Sequence, residues 1–200
     1  MSLAAAFVEY IAGLIEEMGY VGVFLLMVLE SAGVPIPSEI VVTFSGFLAA
    51  RGSFDFWTVV LVSTAANLAG SLLFYYVGYV CGEGFVERYG RYLRVTREHL
   101  DFVRSWFARY GDLTVFIGRV TPAVRTYISL PAGIAMMRLS RFVPLTVVGS
   151  TIWNYLLTLA GFWLGENWRD LLPYLDAAAA AVVACAVAAL AYLRRRGWRI

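Results

Sequence analysis

The sequence predicts an all-α integral membrane protein, built as an inverted repeat of a re-entrant helical hairpin plus a transmembrane helix, with an extra C-terminal transmembrane helix. Three observations carry that prediction. Of the 200 residues, 60% are hydrophobic and only 15% are charged, against about 45–50% and about 25% in soluble domains. A soluble body of this size could not hide so much apolar surface, and the mean hydropathy is +0.72. The apolar runs fall into two kinds, long unbroken ones and ones interrupted by proline and charge. The chain also matches itself when slid by 87 residues.

In chain order, residues 1–19 hold an amphipathic helix over 3–18, which either lies on the membrane surface or begins a span. Glu9, Glu16 and Glu17 interrupt it and no basic segment leads it, so no cleavable signal peptide is expected. Runs 56–82, 142–165 and 171–193 are long enough to cross a hydrocarbon core, which takes about 20 residues. Runs 20–50 and 113–137 differ. The first is broken by Gly33-Val34-Pro35-Ile36-Pro37-Ser38-Glu39, the second by Arg119, Pro122, Arg125 and Pro131. Proline removes an amide donor and disfavours helix in the residue before it. Ser38 is then expected as an N-cap with Glu39 in the first turn of a half-helix over 39–50. Each broken run reads as a re-entrant hairpin, whose irregular backbone must line a cavity or be buried in protein.

Segment 83–112 is polar, with six arginines against five acids. Within it Leu100, Val103, Phe107 and Tyr110 recur at helical spacing, as in an interfacial helix. Arg194, Arg195, Arg196 and Arg199 form a basic tail over 194–200. The positive-inside rule puts both regions, and so the C-terminus, in the cytoplasm of a multi-pass plasma-membrane protein. The whole is one membrane domain: 20–82 and 113–165 are its two repeats, 83–112 joins them, and 171–193 is the last span.

Ten identities in 44 ungapped positions support the repeat. Pro35 falls on Pro122, Gly46 on Gly133, Ser63 on Ser150, Thr64 on Thr151, Asn67 on Asn154 and Gly78 on Gly165. A hairpin crosses the membrane zero times and a span once, so the second unit enters from the opposite face. Inverted repeats with broken helices meeting near the midplane are common in secondary transporters. The shared Ser-Thr-x-x-Asn puts polar groups on one helix face. For the hydroxyls, interhelical hydrogen bonding is the favoured reading; for Asn67 and Asn154, bonding and cavity lining are equally open.

The repeat is chemically polarised. Its first hairpin carries Glu30 and Glu39, its second Arg119 and Arg125. Ionisable side chains inside a membrane cost about 2.5–3.5 kcal/mol even on insertion scales, so a functional reading is the default. The alternative is that the four pair as two salt bridges locking the hairpin tips. Glutamates beside guanidinium groups suit proton carriage, and the planar arginine fork suits phosphate. A half-helix starting near Val124 would add its positive end to Arg119 and Arg125, making an anion the natural cargo there. Pro35, Pro37, Ser38 and Pro122 are then structural residues of the tips.

Other chemistries find little support. All 16 cations are arginine, which excludes Schiff-base or Walker-type lysine chemistry. Cys81 and Cys185 lie far apart in apolar runs, so neither a disulfide nor a metal site is expected. The one histidine, His99, sits in the polar segment with no nucleophile to pair with. No cofactor and no nucleic-acid partner are expected. Trp57, Trp106, Trp163, Trp168 and Trp198 read as interfacial belt residues, whereas Trp153, beside Asn154 inside a span, can border a cavity. Small residues over 177–191 permit packing against a second protomer in a homo-oligomer.

On three motifs the chain resembles the DedA family, also called SNARE-associated or VTT-domain membrane proteins. They are Glu30-x-x-x-x-Pro35-x-Pro37-Ser38-Glu39; Phe116-x-Gly118-Arg119-x-x-Pro122-x-x-Arg125-Thr126, followed by Ala132-Gly133, Met136 and Phe142; and, more weakly, Asn67-x-x-Gly70 leading to Tyr76-x-Gly78. The resemblance spans about residues 20–165. It departs at Ala66, where many members have glycine, and in an Ala-rich C-terminal region bearing Asp176. It implies lipid transport: of undecaprenyl phosphate in bacterial members, phospholipid scrambling in eukaryotic relatives. It further implies Glu30, Glu39, Arg119 and Arg125 as functional positions and a dependence on proton motive force. The sequence therefore predicts a polyprenyl-phosphate transporter rather than an enzyme, with Arg119 and Arg125 binding phosphate and Glu30 and Glu39 carrying protons. The alternatives are a proton- or sodium-coupled exporter of small ions or drugs, and a phospholipid scramblase.

Overall fold

In a computed structural model of the chain, the structure describes residues 3–93, 97–122 and 124–165, and among them it is all helix. The eight helices are α1 (Leu3–Met18), α2 (Tyr20–Ser31), α3 (Ser38–Ala50), α4 (Phe56–Leu93), α5 (Arg97–Val120), α6 (Val124–Tyr127), α7 (Ser129–Ile134) and α8 (Leu139–Leu164). Two stretches are long and apolar enough to cross a membrane, Phe56–Val80 within α4 and Leu139–Leu164. The expected third span, the basic tail, Trp168, Trp198 and the 177–191 packing surface lie outside the described residues.

The first broken run folds as its prolines dictate. Helix α2 stops at Ser31, and Gly33 takes φ +102° in a turn packed against the Phe74 ring, a backbone region that L side chains avoid. Helix α3 then restarts at Ser38. Ser38 is not the N-cap expected of it. The Pro37 carbonyl accepts the amides of Ile40 and Val41, which makes Pro37 the capping residue, and the Ser38 hydroxyl turns to the Glu39 carboxylate, 3.3 Å away. Between α3 and α4, Asp55 is the side chain that does cap. Its Oδ1 accepts the amide and hydroxyl of Thr58, both at 2.7 Å, and these bonds hold its carboxyl below the ordinary range.

Two boundaries read from charge are not boundaries of the backbone. Helix α5 runs unbroken across Asp112, where the polar segment was expected to give way to the second hairpin, and α4 continues past residue 82 to Leu93. A change from polar to apolar side chains leaves the i→i−4 ladder intact, and a lone glycine such as Gly111 does not stop it. At 1.5 Å per residue, the 38 residues of α4 measure about 57 Å, well beyond a hydrocarbon core of about 30 Å. The second hairpin is also less regular than the first. After the turn at Thr121–Pro122, its returning arm is two short helices, α6 and α7, meeting at Ile128. The amides of Val124 and Arg125 are taken by the carbonyls of Pro122 and Thr121. At the expected half-helix start these two amides are therefore bonded within the turn.

The short helices pack on the long ones. Helix α3 lies along α8 and α7 lies along α4, and each contact is made backbone to backbone through glycine. Gly46 of α3 abuts the Thr158 carbonyl, and Gly161 of α8 abuts the Thr43 carbonyl. Gly133 of α7 abuts the Tyr75 carbonyl, and Gly78 of α4 the Leu130 carbonyl. In the arms the matching positions (43 and 130, 46 and 133) keep the spacing of 87. In the spans (75 and 158, 78 and 161) the spacing is 83, about one helical turn less. Gly78 thus finds its counterpart in Gly161, not in the Gly165 that the sequence slide pairs with it.

The two long apolar helices bury polar side chains and expose apolar ones. Ser63, Thr64, Asn67 and Ser71 of α4 and Thr146, Ser150, Asn154 and Thr158 of α8 are buried, while Leu61, Leu73, Tyr76, Val148, Leu156 and Trp163 are exposed. That is the polarity of a body whose solvent is lipid. One apolar cluster joins α1, α2 and α3 through Ile11, Ile15, Met27, Val42 and Phe44. A second gathers Tyr75, Val115, Ile128, Ala132 and Phe142 around α7.

A methyl group at position 161 has no room beside the Thr43 carbonyl. Gly161→Ala is therefore expected to lower stability by at least about 1–3 kcal/mol, whereas Gly13→Ala, in open space inside α1, should not lower it and gains up to about 1 kcal/mol of helix propensity. Thermal unfolding of the detergent-solubilised protein checks both; equal melting temperatures would contradict the glycine-mediated packing.

Candidate functional site

Glu30 ends α2 as its last buried turn, and four donors converge on its carboxylate. Oε1 faces Arg125 Nη2 at 3.0 Å and accepts the Thr126 hydroxyl at 2.6 Å. Oε2 accepts the Ser31 hydroxyl at 2.9 Å and the Asn67 amide at 3.3 Å. The donors come from α2, α4 and α6, so one carboxylate ties both hairpins to the first span. The two partners brought by the second hairpin are adjacent in sequence, Arg125 and Thr126, because the opening turn of α6 presents both to α2.

From Glu30 a hydrogen-bonded chain crosses to the second span. Asn67 also donates to the Ser31 hydroxyl at 2.5 Å. Its Oδ1 accepts from Asn154 Nδ2 at 2.8 Å, and Asn154 also reaches Thr64 Oγ1 at 3.3 Å. The two asparagines are 2% and 0% exposed and bonded to each other between α4 and α8. The hydroxyls divide. Thr64 bonds between helices, as expected, while Ser63 and Thr151 turn back to the carbonyls of Val59 and Val147 on their own helices.

Arg119, at the end of α5, and Arg125 are 3% and 5% exposed, and they are held differently. Arg119 clamps its own hairpin, donating from Nη1 to the Arg125 carbonyl at 2.9 Å and from Nη2 to the Ser129 hydroxyl at 2.8 Å. Its guanidinium lies 5.5 Å from the centre of the Phe142 ring, within cation–π range. Arg125 is likewise 5.8 Å from the Trp153 ring. Two donors around the pair have no hydrogen-bond acceptor within the protein, Arg119 Nε and Trp153 Nε1, whereas Arg125 Nη2 has the Glu30 carboxylate. Buried donors left in this state are costly, and two guanidinium groups face the single carboxylate of Glu30.

Of the four ionisable residues singled out in the sequence, the structure brings together Glu30, Arg119 and Arg125. Glu39 stands apart at the start of α3, half-buried and bonded to Ser38. One salt bridge forms between the hairpins, not two. Sequence reasoning missed Ser31, Thr126 and Ser129. For the first two a signal existed, since each hydroxyl directly follows a buried charge. Beside the site, an apolar groove of about 620 Å³ runs along α5 and ends at the hairpin tip. Trp106, Tyr110, Leu113 and Ile117 line its length, and Gly118, Val124 and Ile128 its inner end, next in sequence to Arg119, Arg125 and Ser129.

Residues 36–162 match the family described as the VTT domain. An "alkaline phosphatase-like protein" of Lactococcus lactis subsp. cremoris is 35% identical over 88% of this chain and 85% of its own length. "Undecaprenyl phosphate transporter A" of Bacillus subtilis is 34% identical over 78% of this chain and 77% of its own. The protein of that name in Staphylococcus aureus is 32% identical over 82% and 83%. No solved structure matches the chain significantly.

Removing one partner of a buried ion pair strands the other charge, at about 3–5 kcal/mol. Glu30→Ala and Arg125→Ala should each destabilise on that scale, and the double variant by clearly less than their sum. Melting temperatures across this double-mutant cycle test the pair. Simple additivity would show that the two side chains are not coupled.

Proposed function

This chain belongs to the VTT-domain, or DedA, family, and on that premise we propose that it is a proton-coupled transporter that moves a polyprenyl-phosphate lipid, of the undecaprenyl-phosphate type, between leaflets of the cell membrane. The observation that carries this reading is the Glu30–Arg125 pair, buried at the meeting of the two broken helices. Relatives named undecaprenyl phosphate transporter A, matched over most of both chains, supply the cargo class.

In this reading the two units are inverted re-entrant hairpins whose tips meet at the site, and the reciprocal glycine contacts support it. Arg125 exchanges partners. In the resting arrangement it is held by Glu30; when a phosphate monoester arrives, its oxygens take the guanidinium, and a proton takes the place of the lost counter-charge on Glu30. Phosphate and proton are thereby coupled through one arginine. Arg119 keeps the second tip in shape and offers its unpartnered Nε to the same anion. Glu39, half-buried at the head of α3, is the second acid on the proton route. The groove along α5 gives the isoprenoid tail a path while the headgroup crosses.

A second reading, a phosphomonoesterase, has only the name of the Lactococcus relatives behind it. The two readings separate in one experiment. Liposomes holding the purified protein receive a labelled polyprenyl phosphate, with and without a pH gradient, and both flipping and released inorganic phosphate are measured. Flipping driven by the gradient, without phosphate release, is expected. Release of phosphate would favour the esterase instead.

Arg125→Ala is expected to insert normally and to abolish flipping, a loss of at least about 100-fold from deleting a charged bidentate partner. Glu30→Gln should retain residual flipping that no longer responds to the pH gradient. Wild-type flipping by Arg125→Ala sinks the phosphate site, and gradient-driven flipping by Glu30→Gln sinks the coupling role.

A further inference from the structure

We propose that Trp153 is a binding residue of the anion site, its indole N–H donating to a phosphate oxygen beside Arg125, a role that rests on the transport reading above. The indole ring is half-buried on α8 with the Arg125 guanidinium carbon 5.8 Å from its centre. Its Nε1 is buried and has no acceptor within the protein. Tryptophan N–H groups are donor-only and find a partner when buried. A ring needed only as a platform for a cation could equally be phenylalanine, as Phe142 is for Arg119. What indole adds at position 153 is the donor.

Two buried donors near Arg125 have no acceptor within the protein, Trp153 Nε1 from α8 and Arg119 Nε from α5, and Arg125 Nη2 from α6 is held by Glu30 at 3.0 Å until an anion replaces that carboxylate. Arg119 is tied to the same place through its bond to the Arg125 carbonyl. A ligand that satisfies these donors must present several acceptor oxygens and negative charge. A phosphate monoester does both. The position is also fixed from behind. Asn154, the next residue, is bonded to Asn67 and Thr64, and Asn67 to Glu30. The face of α8 that carries Trp153 therefore keeps its register against the site.

The chemistry is shared by a lipid headgroup and by free phosphate, so binding of both is measured on the full-length protein in detergent, using radiolabelled polyprenyl monophosphate with inorganic phosphate as competitor. Trp153→Phe keeps the ring beside Arg125 and deletes only the N–H. It is expected to weaken both ligands alike, by about tenfold, the effect of one hydrogen bond to a charged group, while the melting temperature stays near that of the wild type. Arg125→Ala serves as the control on the underlying reading and should abolish binding of both. Wild-type affinity in Trp153→Phe overturns the inference alone; wild-type affinity in Arg125→Ala overturns the reading beneath it. Weakening confined to the lipid puts Trp153 against the tail and also overturns the inference. If Trp153→Phe does not fold, a benzothienylalanine at position 153, which keeps the shape and replaces N–H by sulfur, gives the same comparison.

Discussion

Everything in this fold answers to one buried carboxylate. Glu30 has two oxygens, and the structure brings them a guanidinium, an amide and two hydroxyls. In a lipid-bathed protein no water stands by to solvate a charge, so each donor must come from the chain itself. That requirement fixes where α2 may end, which face α4 turns inward, and how α6 must begin. Replacing an ionic centre by apolar residues can be neutral or better for stability. A charge kept at the meeting point of three helices is what the partner exchange proposed for Arg125 requires.

The wider architecture follows from the same solvent. Exposed faces of α4 and α8 carry leucine, valine and aromatic rings, while their inner faces carry serine, threonine, asparagine and glycine. With lipid as apolar as leucine, apolar burial contributes little to bringing helices together, so close backbone approach and hydrogen bonds hold them. The glycine contacts between α3 and α8 and between α4 and α7 supply the first, and the Asn67–Asn154 bond supplies the second. An interior of this kind is stiff along the glycine seams and polar along the asparagine line.

Much of this was legible in the chain, for physical reasons that differ by residue. Pro35 and Pro37 had to break a helix, and α2 and α3 end and start around them. Glu30, Arg119 and Arg125 stood out because charge in an apolar run is costly wherever it occurs. What could not be read were relations between distant residues. Nothing local says that Gly46 faces Thr158, or that Asn67 and Asn154 meet rather than line separate surfaces. The continuity of α5 across Asp112 was hidden for another reason. Charge marks where water begins, and a helix passes that level without breaking. Glu39 shares a motif and a hairpin with Glu30 yet lies half-buried at the start of α3, bonded to Ser38, a separation that no local pattern shows.

The crossed packing of the arms also constrains how the protein is made. Helix α3 leaves the ribosome long before α8, which begins only at Leu139, yet α8 is the surface against which Gly46 and Thr43 are fitted. Until then α3 is a short helix with an open backbone turn at Gly33 and a charge at each end of that turn, Glu30 and Glu39. The first half of the chain thus lacks, until α8 is made, the backbone surface on which Gly46 and Thr43 rest. A chain cut short before Leu139 leaves that face of α3 bare, so the fold is completed from its C-terminal side rather than half by half.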